Sequence, residues 1–285
     1  MSVERSVLIT GASRGLGEAI AKEFWGAGAS LLLAARSLNR LEALRDTLLP
    51  SAAPGQQIHC LPTDLAYPGA PAALLAEAHK RTGRLDVLIN NAAIVGPIGR
   101  FWENEPDLWT QTLQTNLLAP AELMRSAIPW MAESGGGVII NISGGGATGP
   151  RPFFSAYATA KAGLVRLSET LAAEAQPLGV RIHCIAPGAM NTEMLEAVLR
   201  TSADAAGGEF EKARQQKEQG GTDPAVAARL CVYLTGDAVR SVTGRLFSAV
   251  WDPWASMEEW AEQLEKSDIY TLRRIVPEDR GKEWS

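Results

Sequence analysis

Short apolar runs alternate along the chain with longer segments in which apolar residues recur at a helical period. The apolar runs are Ser6–Thr10, Ala29–Ala35, Gln57–Asp64, Asp86–Asn90, Gly137–Ser143, Arg181–Ala186 and Gly244–Val250. Most of them are apolar at nearly every position, which is typical of parallel strands covered by helices on both faces. The helical segments are Glu18–Trp25, Leu38–Leu49, Pro71–Thr82, Pro106–Glu133, Phe154–Gln176 and Asp223–Leu234. This alternation predicts one doubly wound α/β domain built on a seven-stranded parallel sheet flanked by helices.

Pro120 is expected to kink the longest predicted helix. Two segments interrupt the alternation of strands and helices. Residues 192–222 are polar and lie between a predicted strand and a predicted helix. They are either a solvated surface excursion or a mobile lid, and their place just after the carboxyl end of a strand favours the lid. Residues 251–285 form a tryptophan-rich C-terminal extension beyond the domain of residues 1–250. Its tryptophans, which predict packing on the body or on a neighbouring subunit, are Trp251, Trp254, Trp260 and Trp284.

Composition and charge narrow the function classes. The chain has 285 residues, 46% hydrophobic and 21% charged, with a formal net charge of −5. It has no basic stripe and no apolar run near the ~20 residues that span a membrane, so neither nucleic acid nor a membrane is an expected partner. The charged N-terminus is not typical of a signal peptide. The widely spaced Cys60, Cys184 and Cys231 indicate buried free thiols in a reducing compartment, hence a cytoplasmic protein.

A glycine-rich turn follows the first apolar run. In Thr10-Gly-Ala-Ser-Arg-Gly-Leu-Gly17 the glycine spacing is G-x-x-x-G-x-G, between a predicted strand and a predicted helix. Glycines let the backbone turn tightly and approach a pyrophosphate, and the helix N-terminus offers free N–H groups to the anion. The turn predicts a dinucleotide site whose residues are Gly11, Ser13, Arg14, Gly15, Leu16 and Gly17.

The end of the second run bears on the choice of cofactor. An acidic residue at this place binds the ribose 2′-hydroxyl of NAD, whereas an arginine accommodates the 2′-phosphate of NADP. The strand end carries Arg36 and no carboxylate, and Arg14 supplies a second cation nearby. NADP(H) is therefore favoured and NAD(H) remains possible, the alternative being two solvated arginines without a role.

Tyr157 and Lys161 lie four residues apart in a helical segment, and hence on one helical face. A free phenol has a pKa of about 10, and a nearby ammonium group lowers it by stabilising the phenolate. Such a tyrosine exchanges a proton with a carbonyl or an alcohol near neutral pH. The pair is the predicted general acid/base group, although its spacing alone is weakly specific.

Taken together, these motifs resemble the short-chain dehydrogenase/reductase family. They follow the family's order over residues 5–250 and are Thr10–Gly17, Asp64-Leu65, Asn90-Asn91-Ala92-Ala93, Asn116, Asn141-Ile142-Ser143, Tyr157/Lys161, Pro187-Gly188 and Thr192. The resemblance implies a Rossmann-like fold and an NAD(P)(H)-dependent oxidoreductase acting on a carbonyl or alcohol.

The resemblance also implies a role for each matched residue. Asp64 would contact the adenine, and Thr192 would bind the nicotinamide carboxamide. Residues that would line or shape the cofactor cleft are Leu65, Asn90, Asn91, Ala92, Pro187 and Gly188. Lys161 would also hold the nicotinamide ribose, and Asn116 would hold a water in a proton relay behind it. The family is typically tetrameric or dimeric through two long helices, here residues 106–133 and 154–176.

One family position is changed. The family's substrate-orienting serine lies thirteen residues before the tyrosine, where this chain has Gly144. Ser143 is adjacent, and adjacent strand residues point to opposite faces. The flexible glycine run 144–146 nevertheless leaves Ser143 a catalytic candidate, with backbone N–H groups, Thr148 and Ser155 as further substitutes. Loss of one such donor elsewhere lowers the rate about 10²–10³-fold.

Three functions follow. The first is an NADP(H)-dependent oxidoreductase that uses Tyr157 and Lys161. The second, motivated by Gly144, is an NADP(H)-binding sensor or scaffold with weak catalysis. The third is a redox-assisted isomerisation or epimerisation with a tightly held cofactor. Scattered histidines and cysteines without metal-ligand spacing predict no metal site, and the substrate is unspecified.

Overall fold

A computed structural model describes residues 5–283, within which seven strands form one parallel sheet in the order β3-β2-β1-β4-β5-β6-β7. The strands are β1 Ser6–Thr10, β2 Ser30–Ala35, β3 Ile58–Pro62, β4 Val87–Asn90, β5 Gly137–Ile142, β6 Val180–Ala186 and β7 Arg245–Ser248. The predicted Rossmann-like, doubly wound α/β fold is confirmed, and each strand end lies within two residues of its predicted place.

The helices follow the predicted segments and add a group in the lid segment. They are α1 Gly15–Gly26, α2 Leu38–Leu48, α3 Ala70–Thr82, α4 Pro106–Leu113, α5 Ala119–Glu133, α6 Ser155–Ala175, α7 Glu193–Leu199, α8 Ala203–Ala206, α9 Gly208–Gln219, α10 Pro224–Leu234 and α11 Ala261–Glu265. Helix α9 was not predicted, because it is rich in the helix formers Glu, Lys, Arg and Gln but has only one buried residue and no apolar stripe.

The long predicted helix, residues 106–133, changes its hydrogen-bond pattern in the middle. A π-helical segment, Gln114–Leu118, joins α4 to α5. Pro120 follows it and has no N–H to donate to the carbonyl of Asn116, so a regular helical ladder cannot run through this point. The distortion expected from Pro120 therefore takes the form of the π segment.

Alternate residues of the central strands enter two separate apolar layers. Val7 and Ile9 pack on the side of α1, α2 and α10, whereas Leu8 packs on the side of α3, α5 and α6. Because both faces of the sheet are covered, the strands are apolar at every position, which is why they appeared as continuous runs.

The C-terminal extension packs along β7, the edge strand. The backbone N–H of Leu246 donates to the carbonyl of Tyr270 at 2.8 Å, and Trp254 Nε1 donates to the carbonyl of Ala249 at 2.9 Å. This cover occupies hydrogen-bonding groups that a bare edge strand would offer to another chain. Trp251 is different, since 84% of its surface is exposed, and Trp284 lies outside the described residues.

The cysteines are free thiols, but one differs from the prediction. Cys184 and Cys231 are buried, whereas Cys60 is partly exposed because β3 is the other edge of the sheet. Among the helices of the described chain, none combines the length and the apolarity needed to cross a membrane.

Arg245 anchors the extension, which gives a stability prediction. It is 9% exposed, and its guanidinium donates to the carbonyls of Leu264 and, at 2.8 Å, of Ser267. Arg245→Met leaves those carbonyls without their charged donor, so we expect the free energy of unfolding in a urea titration to fall by about 1.5–3 kcal/mol. Arg274→Met, an exposed position of the same extension, is the control and should change it by less than about 0.5 kcal/mol. Equal stability of the two variants would contradict the anchoring role.

Candidate active site

A cleft of about 1750 Å³ crosses the carboxyl ends of the strands, including β1 and β4, where the strand order reverses. Open α/β sheets bind ligands at this place. Pockets for a single small ligand measure about 300–1,000 Å³, so this cleft has room for two ligands. The predicted site residues that line it are Gly11, Ser13, Arg14, Gly15, Leu16, Gly17, Arg36, Asp64, Leu65, Asn91, Ala92, Ser143, Tyr157, Lys161, Pro187, Gly188 and Thr192.

Close packing fixes the glycine-rich turn. A Cβ atom on Gly17 would lie 2.2 Å from the carbonyl oxygen of Gly11, and one on Gly11, whose φ is +65°, would lie 2.9 Å from Cα of Ala92. The side-chain amide of Asn91 donates to the carbonyls of Thr10 and Gly11 at 2.9 and 3.2 Å. The turns after β1 and β4 are thereby locked together, and only glycine fits between them.

Helix α1 begins in this turn without a side-chain cap. Its N-cap residue, Arg14, makes no capping hydrogen bond. The first N–H groups of a helix have no partner within the helix, and together with the helix dipole they form an anion site. The turn therefore fits the pyrophosphate of a dinucleotide, as the glycine pattern suggested.

Three arginine side chains line the part of the cleft next to the end of β2 and the start of α1. Arg36 and Arg40 are exposed and line the cleft with Arg14. Burial, and then the charges of Arg40 and Arg36, lower the pKa of Arg14, which shows that the three cations share one field. Arg40 was missed, although its spacing of four from Arg36 was a usable signal. Arg14 also pairs with Glu193, the first residue of α7.

Tyr157 and Lys161 are both buried on α6, at 5% and 2% exposure. Lys161 Nζ donates to the carbonyl of Ile142 at 2.7 Å and lies 5.6 Å from the centroid of the Tyr157 ring. Burial raises the pKa of Tyr157 to about 12 and lowers that of Lys161 to about 8. The expected lowering of the tyrosine pKa by Lys161 is thus wrong for this arrangement, because desolvation is the larger effect. The charge that does lower the pKa of Tyr157 belongs to Arg151.

Gly144 occupies the position that faces the tyrosine hydroxyl. A Cβ atom there would lie 2.5 Å from Tyr157 Oη. Ser143 is 2% exposed, its backbone N–H donates to the carbonyl of Ile185 at 2.8 Å, and its Oγ has no hydrogen-bond partner among residues 5–283. The place of the family serine therefore holds no hydroxyl, and Ser143 lies beside that place rather than in it.

Two asparagines and one serine assigned to the site do not line the cleft. The side chain of Asn116 accepts from the N–H of Ile94 at 2.9 Å and donates to its carbonyl at 2.8 Å, so it braces the turn after β4. Asn90 Nδ2 donates to Asn141 Oδ1 at 2.7 Å inside the sheet. Of the substitutes for the serine, Thr148 lines the cleft and Ser155 does not. The side chains of these asparagines meet backbone and core groups rather than the cleft.

The lid segment covers Tyr157 with apolar side chains. Leu195 and Val198 of α7 belong to the same buried cluster as Phe154 and Tyr157. An ion pair joins the lid to the loop before α6, since Arg151 Nε and Nη2 each lie 2.9 Å from Glu209 Oε2 on α9. No local sequence pattern predicts this pair, because its members are 58 residues apart.

Known proteins resemble this chain in sequence and structure. The short chain dehydrogenase family model matches residues 5–203. An uncharacterized oxidoreductase of Mycobacterium tuberculosis (strain CDC 1551 / Oshkosh) is 35% identical over 243 residues, which cover 85% of this chain and 89% of that protein. The structure of levodione reductase has a TM-score of 0.76 at 27% identity, covering 86% of this chain and 95% of that one. A metagenomic short-chain oxidoreductase in complex with NADP has a TM-score of 0.66 at 28% identity, covering 81% and 90%.

The burial of Lys161 predicts a pH dependence of stability. Between its folded pKa of about 8 and its ordinary value of 10.5, the folded state holds Lys161 neutral while the unfolded state keeps the proton. Stability rises with pH when the unfolded state binds more protons, so this lysine should add up to about 3 kcal/mol to the free energy of unfolding between pH 8 and pH 10.5. Urea titrations of the wild type and of Lys161→Met at both pH values measure the difference. Lys22→Met, at a surface position, is the control, and its free energy of unfolding should change with pH as that of the wild type does. If Lys161→Met shows the same change as the wild type, Lys161 keeps its ordinary pKa and the prediction is wrong.

Proposed function

Because the chain belongs to the short-chain dehydrogenase family, we propose that it is an NADP(H)-dependent oxidoreductase that transfers hydride between the nicotinamide and a carbonyl or alcohol substrate. The observation that carries the proposal is the buried Tyr157–Lys161 pair on the wall of a cleft that also holds the glycine-rich turn. The cofactor, when bound, supplies or accepts the hydride.

Residues at the two ends of the cleft would hold the cofactor. The uncapped start of α1 takes the pyrophosphate, and Arg36 and Arg40 take the 2′-phosphate that distinguishes NADP from NAD. Asp64 and Leu65 line the adenine end. Thr192 would bind the carboxamide at the nicotinamide end. The NADP complex of the similar metagenomic short-chain oxidoreductase supports this choice of cofactor.

Tyr157 and Lys161 would handle the proton. Burial keeps Tyr157 protonated at neutral pH, so it has a proton to give to the oxygen of a carbonyl substrate as the alcohol forms. Lys161, fixed on the carbonyl of Ile142, would hold the nicotinamide ribose and replace that proton through water. Asn116 would act indirectly, because its side chain holds the backbone of Ile94, which lines the cleft.

A sensor or scaffold with weak catalysis is the second candidate, and Gly144 favours it. A binding-only protein has no need of a desolvated Tyr–Lys pair under a lid, which argues for the enzyme. Redox-assisted isomerisation or epimerisation is the third, and stoichiometric cofactor in the purified protein would indicate it.

We further propose that residues 192–222 act as a mobile lid, and that the chain is cytoplasmic and forms a homotetramer or homodimer through residues 106–133 and 154–176. Leu108 and Leu118, exposed on this helical stretch at 48% and 51%, support an interface there.

Removal of the Tyr157 hydroxyl tests the proposed enzyme. Tyr157→Phe keeps the ring but has no proton to transfer, so turnover of NADPH with any carbonyl from a panel of aldehydes and ketones should fall at least about 10²-fold. Nicotinamide absorbance measures it. Tyr67→Phe, on an exposed ring, should leave the rate unchanged. If Tyr157→Phe turns over at the wild-type rate, the proposed oxidoreductase function with Tyr157 as proton donor is wrong.

Loss of the two exposed arginines tests the cofactor choice. A charged hydrogen bond contributes about 1.5–3 kcal/mol, so Arg36→Leu with Arg40→Leu should raise the Kd of NADPH at least about tenfold and leave that of NADH nearly unchanged. Titration of cofactor fluorescence gives both constants. Arg45→Leu is the matched control, since Arg45 lies on α2 but pairs with Asp46 outside the cleft. Parallel losses for NADPH and NADH would contradict 2′-phosphate recognition.

A further inference from the structure

We propose that Arg151 replaces the missing serine: its Nη1 donates a hydrogen bond that holds the reacting oxygen of the substrate beside Tyr157, and that substrate is an uncharged carbonyl compound with an apolar body. The proposal rests on the proposed function, because it assigns a group within the same site.

The need for a donor follows from Gly144. A Cβ atom on Gly144 would lie 2.5 Å from Tyr157 Oη, closer than such atoms approach in proteins, so the tyrosine hydroxyl occupies the space that a side chain at this position would need. With glycine at position 144, the hydroxyl that the family places beside the tyrosine is absent from this part of the wall. A single donor leaves the oxygen free to swing, whereas two fix it between them.

Arg151 lies at the right place to be the second donor. Its Cζ is 5.7 Å from the centroid of the Tyr157 ring and 4.1 Å from that of Phe154. Its Nη1 is 3.6 Å from the Cβ position of Gly145, the neighbour of Gly144, and all of these residues except Phe154 line the cleft. The missing side chain and the guanidinium therefore share one part of the wall.

Glu209 determines which edge of the guanidinium is available. It accepts from Nε and lies equally close to Nη2, both through Oε2 at 2.9 Å. Within residues 5–283, the guanidinium of Arg151 makes its hydrogen bond through Nε, and Nη1 makes none. The arginine is thus held by one edge and offers its other edge as a donor, as a preorganised site requires.

The same pair determines the charge of the substrate. Glu209 neutralises the charge of Arg151. Glu209 also pairs with Lys212, but that side chain is 76% exposed and its charge is screened by water. A neutralised guanidinium still donates to a carbonyl oxygen but gives little extra attraction for an anion. An uncharged substrate is therefore favoured over a carboxylate.

The body of the substrate follows from the lid. Among the side chains of α7 and α9 that line the cleft, those in the same apolar cluster as Tyr157 are Met194, Leu195, Val198 and Ala213, and the polar ones lie outside that cluster. The four apolar side chains offer apolar surface and no hydrogen bonds, so they fit a hydrocarbon or aromatic group next to the carbonyl.

Backbone strain supports a functional loop. Phe153, two residues after Arg151, has a φ of +68°, which is unfavourable for a bulky residue. Its ring packs on Gly207 of the lid, where a Cβ atom would lie 2.5 Å away. Such strain persists only where surrounding contacts impose it and is concentrated at functional sites. Here the contacts come from the lid, which also supplies Glu209.

The test compares Arg151→Met with Arg214→Met in the reduction of 4-nitrobenzaldehyde by NADPH. Arg214 lies on the outer side of α9, paired with Glu211 and away from the cleft, so its variant should match the wild type. Loss of one oxyanion donor predicts a fall in kcat of about 10²–10³-fold for Arg151→Met, with a much smaller change in KM. The Kd of NADPH should stay the same in both variants.

One readout separates a donor from a structural role. Guanidinium ion added to Arg151→Ala should restore part of the rate in a saturable way. A structural loss shows no such rescue.

Other outcomes overturn the proposal. It fails if Arg151→Met keeps kcat within threefold of the wild type while Tyr157→Phe is inactive on the same aldehyde, which leaves the proposed function intact. An active Tyr157→Phe counts against the proposed function instead. A preference for 4-formylbenzoate over 4-nitrobenzaldehyde that disappears in Arg151→Met would make Arg151 an anion site, and a wild type that reduces neither aldehyde also rejects the inference.

Discussion

A parallel sheet covered by helices on both faces confines its polar chemistry to the carboxyl ends of its strands. Within the strands, neighbouring residues such as Val7 and Leu8 enter opposite apolar layers, and neither layer accepts an unpaired polar group at low cost. The Asn90–Asn141 pair is tolerated inside because each side chain meets another. The residues that line the cleft come from the last positions of the strands, from the turns that follow them, such as Asn91 and Ser143, and from helices beside them. The site is therefore built where the strand ends, their turns and the helices α6, α7 and α9 meet.

This constraint explains how much of the molecule could be predicted from the sequence. The strands appeared because their two-sided burial gives continuous apolar runs, and the glycine turn appeared because Gly11 and Gly17 are close in sequence as well as in space. The contact of Arg151 with Glu209 could not be found in this way, since it joins the loop before α6 to helix α9, 58 residues further along the chain. Helix α9 was missed for a related reason, because its function in the fold depends on charged side chains and not on an apolar stripe.

The direction in which the pKa of Tyr157 shifts is a second property that no local sequence pattern predicts. Spacing places Lys161 on the same helical face and suggests a stabilised phenolate. The sign of the shift depends on water, and water is excluded by Leu195 and Val198, which belong to a segment far along the chain. In such a desolvated site each remaining hydrogen bond is stronger than in water and each missing one is more costly. The consequence is that a glycine in place of the serine requires a substitute donor more urgently here than in an open cleft.

The lid combines two kinds of contact with different duties. Its ion pairs, Arg14 with Glu193 at the cofactor end and Arg151 with Glu209 at the substrate end, bind groups that a ligand also needs. Exposed pairs such as the first contribute only about 0–1 kcal/mol, so exchange of Glu193 for a cofactor phosphate costs little. The apolar cluster around Phe154 and Tyr157 has no such competitor, and its burial contributes more to the packing of residues 192–222 on the body of the domain. If this segment acts as the proposed lid, apolar contact would hold it in place, while the ion pairs would determine which polar groups face the ligands.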